Sequence, residues 1–447
     1  MKKYLYFVTF VAALGGFLFG FDTAVISGAE QSIQILWKLN EIQHGLTVSI
    51  ALFGTIVGAL LGGFPSDKFG RKKTLFWIGL LYFVSAIGSA LATGWYTFLF
   101  FRFIGGLGVG ASSVAGPMYI SEISPARMRG RLVALFQFNV VLGILLAYLS
   151  NYLIGSSGEN AWRWMLGVEG IPAFAFLSLV LFIPESPRWL IFKKGLVENA
   201  RSILSRIGHK NVEEEVQLIL TTHQQHLGKS EKEKFFSKQY KFPIMLAVMF
   251  AIFNQVSGIN AVIYYTPRIF QNAGLETSSA LLSTAGIGLI NFVFTILAIN
   301  FIDRFGRRFL MILGSFGLII TLAMTSLSFY FSIGGQLVAI SLFIYIAFFG
   351  FSQGAVIWVF ISEIFPNEVR AKGQSLGSFT HWFMAAFITF LIPSAEKIGF
   401  GPTFLFFSIM MVFQLFFVLK IMPETTGISL EELENVMLKK KSRIKRD

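Results

Sequence analysis

Asp67-Lys68-Phe69-Gly70-Arg71-Lys72 and Asp303-Arg304-Phe305-Gly306-Arg307-Arg308 are near copies lying 236 residues apart, each wedged between strongly apolar runs. Ser121-Glu122-Ile123-Ser124-Pro125 returns as Ser362-Glu363-Ile364-Phe365-Pro366 after 241 residues, and Pro184-Glu185-Ser186 returns as Pro423-Glu424-Thr425 after 239. Three matches in one order at one spacing make the chain two similar halves rather than a string of unrelated domains.

The solvent of those halves follows from composition. Hydrophobic residues are 54% and charged residues 14% of the 447, and mean hydropathy is +0.67, far from an ordinary soluble domain. Apolar stretches near the roughly 20 residues that cross a bilayer fall at 6–28, 45–64, 74–93, 97–118, 132–154 and 163–183, then at 243–271, 280–301, 309–331, 337–361, 373–393 and 400–422. The expectation is an all-α membrane protein of twelve spans. Its parts are an N-terminal bundle over 1–183, a polar linker over 184–242, a C-terminal bundle over 243–422 and a tail over 423–447.

With both termini cytoplasmic, the inner loops and tails hold 32 of the 37 Lys and Arg; Lys38, Arg163, Arg268 and Lys397 fall outside, and Arg102 falls within span four. This obeys the positive-inside rule, and adding or dropping a span would scatter the positives over both faces. The net charge of +13 is therefore topological, and no nucleic-acid partner is expected. The start Met1-Lys2-Lys3 is not read as a secretory signal, because the apolar run after it is too long and no small-residue cleavage site follows. The chain has no cysteine, which excludes disulfides and thiolate metal sites and suits a bacterial inner membrane. In the linker, Leu196 to Leu204 carry apolar residues at helical spacing, so short amphipathic helices under the bundle are expected. The lysine-rich 229–241 and 439–446 read as solvated inner-face charge, with anionic lipid as the alternative.

Enzyme chemistry has no constellation here. His44, His209, His223, His226 and His381 show no metal-ligand spacing with carboxylates, no phosphate-cradling Gly-Lys-Ser/Thr loop is present, and no cofactor is expected. Polar groups within spans carry the function instead, since each is costly in lipid unless it lines a cavity. Asp22, Arg102 and Glu169 are the deep charges, all in the first half. A carboxylate that pairs with Arg102 when ionised and stands neutral when protonated is a switch tied to proton uptake; a fixed structural ion pair is the alternative. Asn254, Gln255 and Asn260 in span seven, with Gln137 in span five and Asn291 in span eight, are uncharged donors and acceptors. Beside Trp358 and Trp382 they suit a neutral polyhydroxylated ligand, whose hydroxyls need paired partners and whose C–H faces pack on rings. Helix–helix glue is the alternative for any single amide.

At these residues the chain resembles the sugar-porter branch of the major facilitator superfamily over nearly its whole length. The blocks that carry the likeness are Asp67 to Arg71 and Asp303 to Arg307, Arg102-Phe103-Ile104-Gly105-Gly106, Pro117 to Glu122, Pro184-Glu185-Ser186-Pro187-Arg188, Gln255 to Tyr265, and Pro423-Glu424-Thr425. The resemblance implies two six-helix bundles with short cytoplasmic helices between them. It places Gln137, Asn254, Gln255, Asn260, Asn291, Gly354 and Trp358 around a central sugar, with Phe19 as an aromatic wall and Tyr264 and Tyr265 as an outer gate. It makes Asp22 and Arg102 a proton-coupling pair and Glu169 a second buried carboxylate. Asp67, Arg71, Glu122, Arg129 and Glu185, with Asp303, Arg307, Glu363, Arg370 and Glu424, become inner charge networks that lock the outward-open state.

Departures from the family pattern are informative too. Span ten reads Ser352-Gln353-Gly354-Ala355 without proline, so a gentler kink is expected there. His381, just before Trp382, stands where relatives carry an amide and reads as its hydrogen-bonding substitute, a second proton site being the alternative; Asn254 replaces a longer glutamine, and Ile144 argues against assuming xylose. The expected function is proton-coupled symport of a hexose or pentose by alternating access, by a monomer in the cell membrane whose partners are sugar, protons and lipid. A facilitative uniporter is the alternative, and a non-transporting sugar sensor the different class.

Overall fold

The computed structural model describes residues 2–125, 128–208, 211–228, 235–366 and 369–426; the basic tail 439–446 and residues 229–234 of the lysine-rich stretch lie outside these. Among the described residues, twelve helices are long and apolar enough to cross a membrane: Lys3–Leu36, Glu41–Leu61, Arg71–Leu91, Trp95–Ile123, Arg129–Ile154 and Ala161–Val180, then Lys238–Asn272, Thr277–Ala298, Arg307–Tyr330, Gly335–Glu363, Arg370–Ile398 and Phe400–Lys420. They are called spans one to twelve below. An α-helix is the natural element here, because it satisfies every backbone polar group within its own segment. Several spans outrun their apolar runs: span one continues through Glu30, Gln31 and Gln34 to Leu36, since intrahelical hydrogen bonds do not stop where hydropathy does.

Three spans are interrupted. Span six breaks between Ala161–Gly167 and Gly170–Val180, at Val168 and Glu169. Span seven breaks between Lys241–Gln255 and Ile259–Asn272, where Gly258 adopts φ 86°, a left-handed conformation that favours glycine. Span ten breaks at Ser352 (φ −117°, ψ −90°), between Gly335–Phe351 and Gln353–Glu363. The lack of proline therefore does not spare span ten. The interruption is held by polar bonds instead: the Ser352 hydroxyl donates to Phe348 O at 2.6 Å and Gln353 Nε2 donates to Gln414 Oε1 at 2.9 Å.

Packing divides the chain into two units. The first comprises residues 1–26, 50–147 and 159–232. Within it spans one and five nearly touch at the backbone: a Cβ on Gly20 would lie 1.9 Å from Val140 O, and one on Gly143 would lie 2.1 Å from Phe17 O. The linker forms helices Pro187–Lys194, Val197–Ile207 and Val212–Gly228, which close over a small core of Trp189, Leu190, Ile191, Ala200, Leu204, Val216 and Ile219. Trp189 Nε1 ties that core to Asp67 O at 2.8 Å. The second unit comprises residues 27–49, 148–158 and 233–447. It thus includes the far end of span one, the first turns of span two and the end of span five, where Tyr148 donates to Ile263 O at 2.7 Å.

Candidate functional site

The repeated motifs build the same device twice, once in each unit. Gly70 (φ 101°) and Gly306 (φ 88°) precede spans three and nine, and a Cβ at either would collide with a carboxylate, Glu185 at 2.2 Å or Glu424 at 2.7 Å. Each carboxylate accepts the first backbone N–H groups of the following span: Arg71 N at 2.8 Å and Lys72 N at 3.2 Å on Glu185, Arg307 N and Arg308 N at 3.0 Å on Glu424. An anion at a helix N-terminus satisfies orphan donors and meets the positive end of the dipole. The arginine of each motif then turns to a second carboxylate. Arg71 grips Glu122 through Nε and Nη2, both at 2.9 Å, and Arg307 Nη2 reaches Glu363 at 2.8 Å. Asp67 pairs with Arg71 at 3.1 Å, whereas the Asp303 side chain lies outside those described. Arg129 donates to Ser121 O and Arg370 to Phe365 O. Burial raises Glu185 above the usual carboxylate range. At Glu424 burial is again the largest influence, but the backbone donors of Thr426, Arg308 and Thr425 and the Thr426 hydroxyl together outweigh it and hold the group low.

In the first unit Arg102 Nη1 binds Asp22 Oδ1, and Nη2 donates to Asp22 O at 3.2 Å. Both side chains are 2% exposed. Gly105, one turn along span four, is what admits the aspartate: a Cβ there would sit 2.3 Å from Ser85 Oγ and 3.3 Å from Asp22 Oδ1. Glu169 is equally buried, at the break of span six, and its Oε1 has no hydrogen-bond partner among the described residues. A sealed ion pair costs several kcal/mol per ion to desolvate, and a lone carboxyl oxygen adds to that. Phe19 and Gln137, both half-buried, lie on spans one and five, which the glycine contacts bring together.

In the second unit the amides are linked. Asn260 Nδ2 donates to Gln255 Oε1 at 2.6 Å, Gln255 Nε2 donates to Asn254 Oδ1 at 3.0 Å, and the same nitrogen lies 3.2 Å from both ring nitrogens of His381. Trp358 and Trp382 flank His381 with ring centroids 4.8 and 4.9 Å away. The unwinding at Val256–Gly258 lets Gln255 and Asn260, on different helical segments, meet directly. Gly354 stands one turn before Trp358 on the second segment of span ten. Asn291 is buried but bonds within its own span, accepting from Thr295 Oγ1 at 3.4 Å. Tyr265 donates to Thr389 O at 3.1 Å, and Tyr264 is 1% exposed beside it.

One buried cluster escaped sequence reasoning. Glu30 and His44, both fully buried, meet Arg268 and Glu396 in the second unit. Arg268 counted only as an outer-face positive, and Glu30 lay two residues past the apolar run of span one. The available signal was spacing: Glu30 follows Asp22 by eight residues, about two helical turns.

Twelve helices long and apolar enough to cross a membrane among the described residues, with buried ion pairs and a buried cluster of amides beside aromatic rings, define the class of membrane transporters. The chain matches the family described as "Sugar (and other) transporter" over residues 8–437, and belongs to it. It is 38% identical to the D-xylose-proton symporter of Escherichia coli (strain K12), over 97% of this chain and 96% of that one. It is 35% identical to the arabinose-proton symporter of Bacillus subtilis (strain 168), over 97% and 95%. A solved structure of the E. coli xylose transporter XylE in a partially occluded inward-open conformation superposes with a TM-score of 0.85 at 36% identity, over 96% of this chain and all of that one.

Proposed function

We propose that the protein is a proton-coupled monosaccharide symporter working by alternating access, monomeric in a bacterial inner membrane with both termini cytoplasmic. The observation that carries the coupling is the sealed Asp22–Arg102 pair with Glu169 in the same unit. Protonation of Asp22 frees Arg102 and removes the ion pair, so the energies of the two conformations depend on proton occupancy. Two relatives described as proton symporters support this reading.

The sugar reading rests on the linked amides of Asn254, Gln255 and Asn260 with Trp358, His381 and Trp382 in the second unit. Their mutual hydrogen bonds are exchangeable for hydroxyl groups, because each amide offers both donor and acceptor. His381 serves here as a hydrogen-bonding substitute for an amide. Asn291 and Gly354 belong to the same proposed site in the second unit, Phe19 and Gln137 are the proposed sugar-binding residues of the first, Tyr264 and Tyr265 are the proposed outer gate, and the Arg71 and Arg307 clusters are the proposed inner locks. The decisive variant is Asp22→Asn, which mimics the protonated carboxyl. It is expected to bind and exchange sugar in vesicles yet fail to concentrate it; a variant that still accumulates sugar under a proton gradient excludes Asp22 from coupling.

A further inference from the structure

Glu30 accepts Arg268 Nε at 2.9 Å and Nη2 at 2.7 Å, a fork on a carboxylate, and His44 Nε2 lies 2.7 Å from the same oxygen as Nη2. The remaining arm of the guanidinium, Nη1, donates to Glu396 at 2.9 Å, and Asn272 Nδ2 braces the other oxygen of Glu396 at 3.0 Å. Gln34 Oε1 accepts a further bond from Nη2. Glu30 and His44 have no exposed surface, and the Arg268 side chain is 11% exposed. The cluster draws on four elements: the end of span one, the first turn of span two, the second segment of span seven and the end of span eleven.

Stability alone does not account for this arrangement. A buried ion network is weak evidence for stability, since well-packed apolar groups of similar volume generally do as well. Its particular property is the behaviour on opening. Apolar surfaces lose about 25 cal/mol per Å² when separated into water, whereas ions regain their hydration as they part. An ionic contact therefore fastens with geometric precision through a bidentate fork and releases at smaller net expense. Two further observations bear on movement. Residues 30 and 44 come from the first sequence repeat and residues 268 and 396 from the second, so the cluster fastens one half of the chain to the other within a single packed unit. Arg268 also rides on Ile259–Asn272, the segment beyond the unwound Val256–Gly258. That segment carries Tyr265, whose ring lies 6.2 Å from that of His44 at 67°.

We propose that Arg268, clamped between the Glu30–His44 pair and Glu396, is the latch that holds the outer half of span seven shut, and that release of these pairs is the step that opens the site to the outside. The latch rests on the alternating-access reading above. It adds to the tyrosine gate a set of residues that decides how much of the population faces outward.

The absence of cysteine allows paired labels without background. Spin labels at Ile35→Cys and Ile398→Cys, 77% and 75% exposed at the ends of spans one and eleven, report the separation across the latch by pulsed electron paramagnetic resonance in lipid nanodiscs. Glu30→Gln with Arg268→Gln removes the buried pair together and leaves Glu396, whose side chain is 22% exposed, to Asn272 and water. It is expected to move the distance distribution to longer separations, with the long-distance fraction rising several-fold. Glu396→Gln, at the partly exposed edge, is expected to give a smaller shift in the same direction. Should the double variant not fold, Glu396→Gln alone decides. A distribution equal to that of the parent, in whichever of these variants is folded, overturns the latch. The measurement uses neither sugar nor a proton gradient, so a failure of proton coupling in the parent is seen separately, in vesicle uptake.

Discussion

Gln255 spends both ends of its amide on neighbours, Asn260 on the oxygen and Asn254 on the nitrogen, with His381 alongside. A sugar that displaces these bonds replaces them in kind. Gln255→Ala or Asn260→Ala is therefore expected to weaken sugar binding by about 1–3 kcal/mol, the usual cost of an unpaired polar group, with folding retained; calorimetry on purified variants checks it, and unchanged affinity in both removes the amides from the site. Gly105 offers a second residue-scale check on the coupling pair. Gly105→Ala places a methyl group against Ser85 and Asp22, and is expected to lower coupled uptake more than sugar exchange, measured side by side in vesicles. At this scale the sequence was readable where a residue is rare for its surroundings. Asp22, Arg102 and Glu169 announce themselves in apolar runs, whereas Asn291 bonds to Thr295 four residues along its own helix, a local pairing that its residue type alone does not distinguish from a ligand contact.

The duplicated caps show how elements are begun. A positive-φ glycine, a carboxylate from some 115 residues later and an arginine facing a second carboxylate start both span three and span nine. The two copies nevertheless differ in their electrostatics. Burial raises Glu185, so the pH-dependent part of its contribution is fully present below the ordinary glutamate value and is lost as the pH rises through its folded value; backbone donors hold Glu424 low, so the pH-dependent part of its contribution is present at neutral pH and is lost as the pH falls through its folded value. Glu424→Gln is accordingly expected to lower the melting temperature at both pH 7 and pH 5. Glu185→Gln is expected to lower it less at pH 7 than at pH 5, or to raise it at pH 7. Equal behaviour of the two variants across that range would contradict the assignment. The same motifs bear on gating: Glu122→Ala or Glu363→Ala is expected to shift the population inward, read by labelling single cysteines near Asn272 and near Ser124. The motifs were legible because they recur; the interruptions in spans six, seven and ten were not. Gly258 is left-handed and packs so closely on Phe407, distant in sequence, that a Cβ would lie 2.6 Å from its ring, and the break of span ten at Ser352 is accompanied by a bond between Gln353 and Gln414, sixty-one residues apart.

For the whole molecule, the count of twelve spans followed from hydropathy, charge asymmetry and repetition, properties summed over hundreds of residues, whereas the family followed from the resemblance of short blocks such as Gln255 to Tyr265. What summation could not supply was which segments pack together. Residues 27–49 and 148–158 belong by sequence to the first repeat and by packing to the second unit, because charge partners such as Arg268 lie far along the chain. Coupling is the property that unites the two halves, and it is open to direct observation. Purified protein in sealed vesicles, given an inward proton gradient and labelled monosaccharide on both sides at equal concentration, is expected to accumulate the sugar until a protonophore is added. A proton crossing 100 mV carries about 2.3 kcal/mol, enough for roughly fiftyfold accumulation at one-to-one coupling. Uptake that merely equilibrates, with or without the gradient, would contradict proton-driven transport through Asp22 and Arg102.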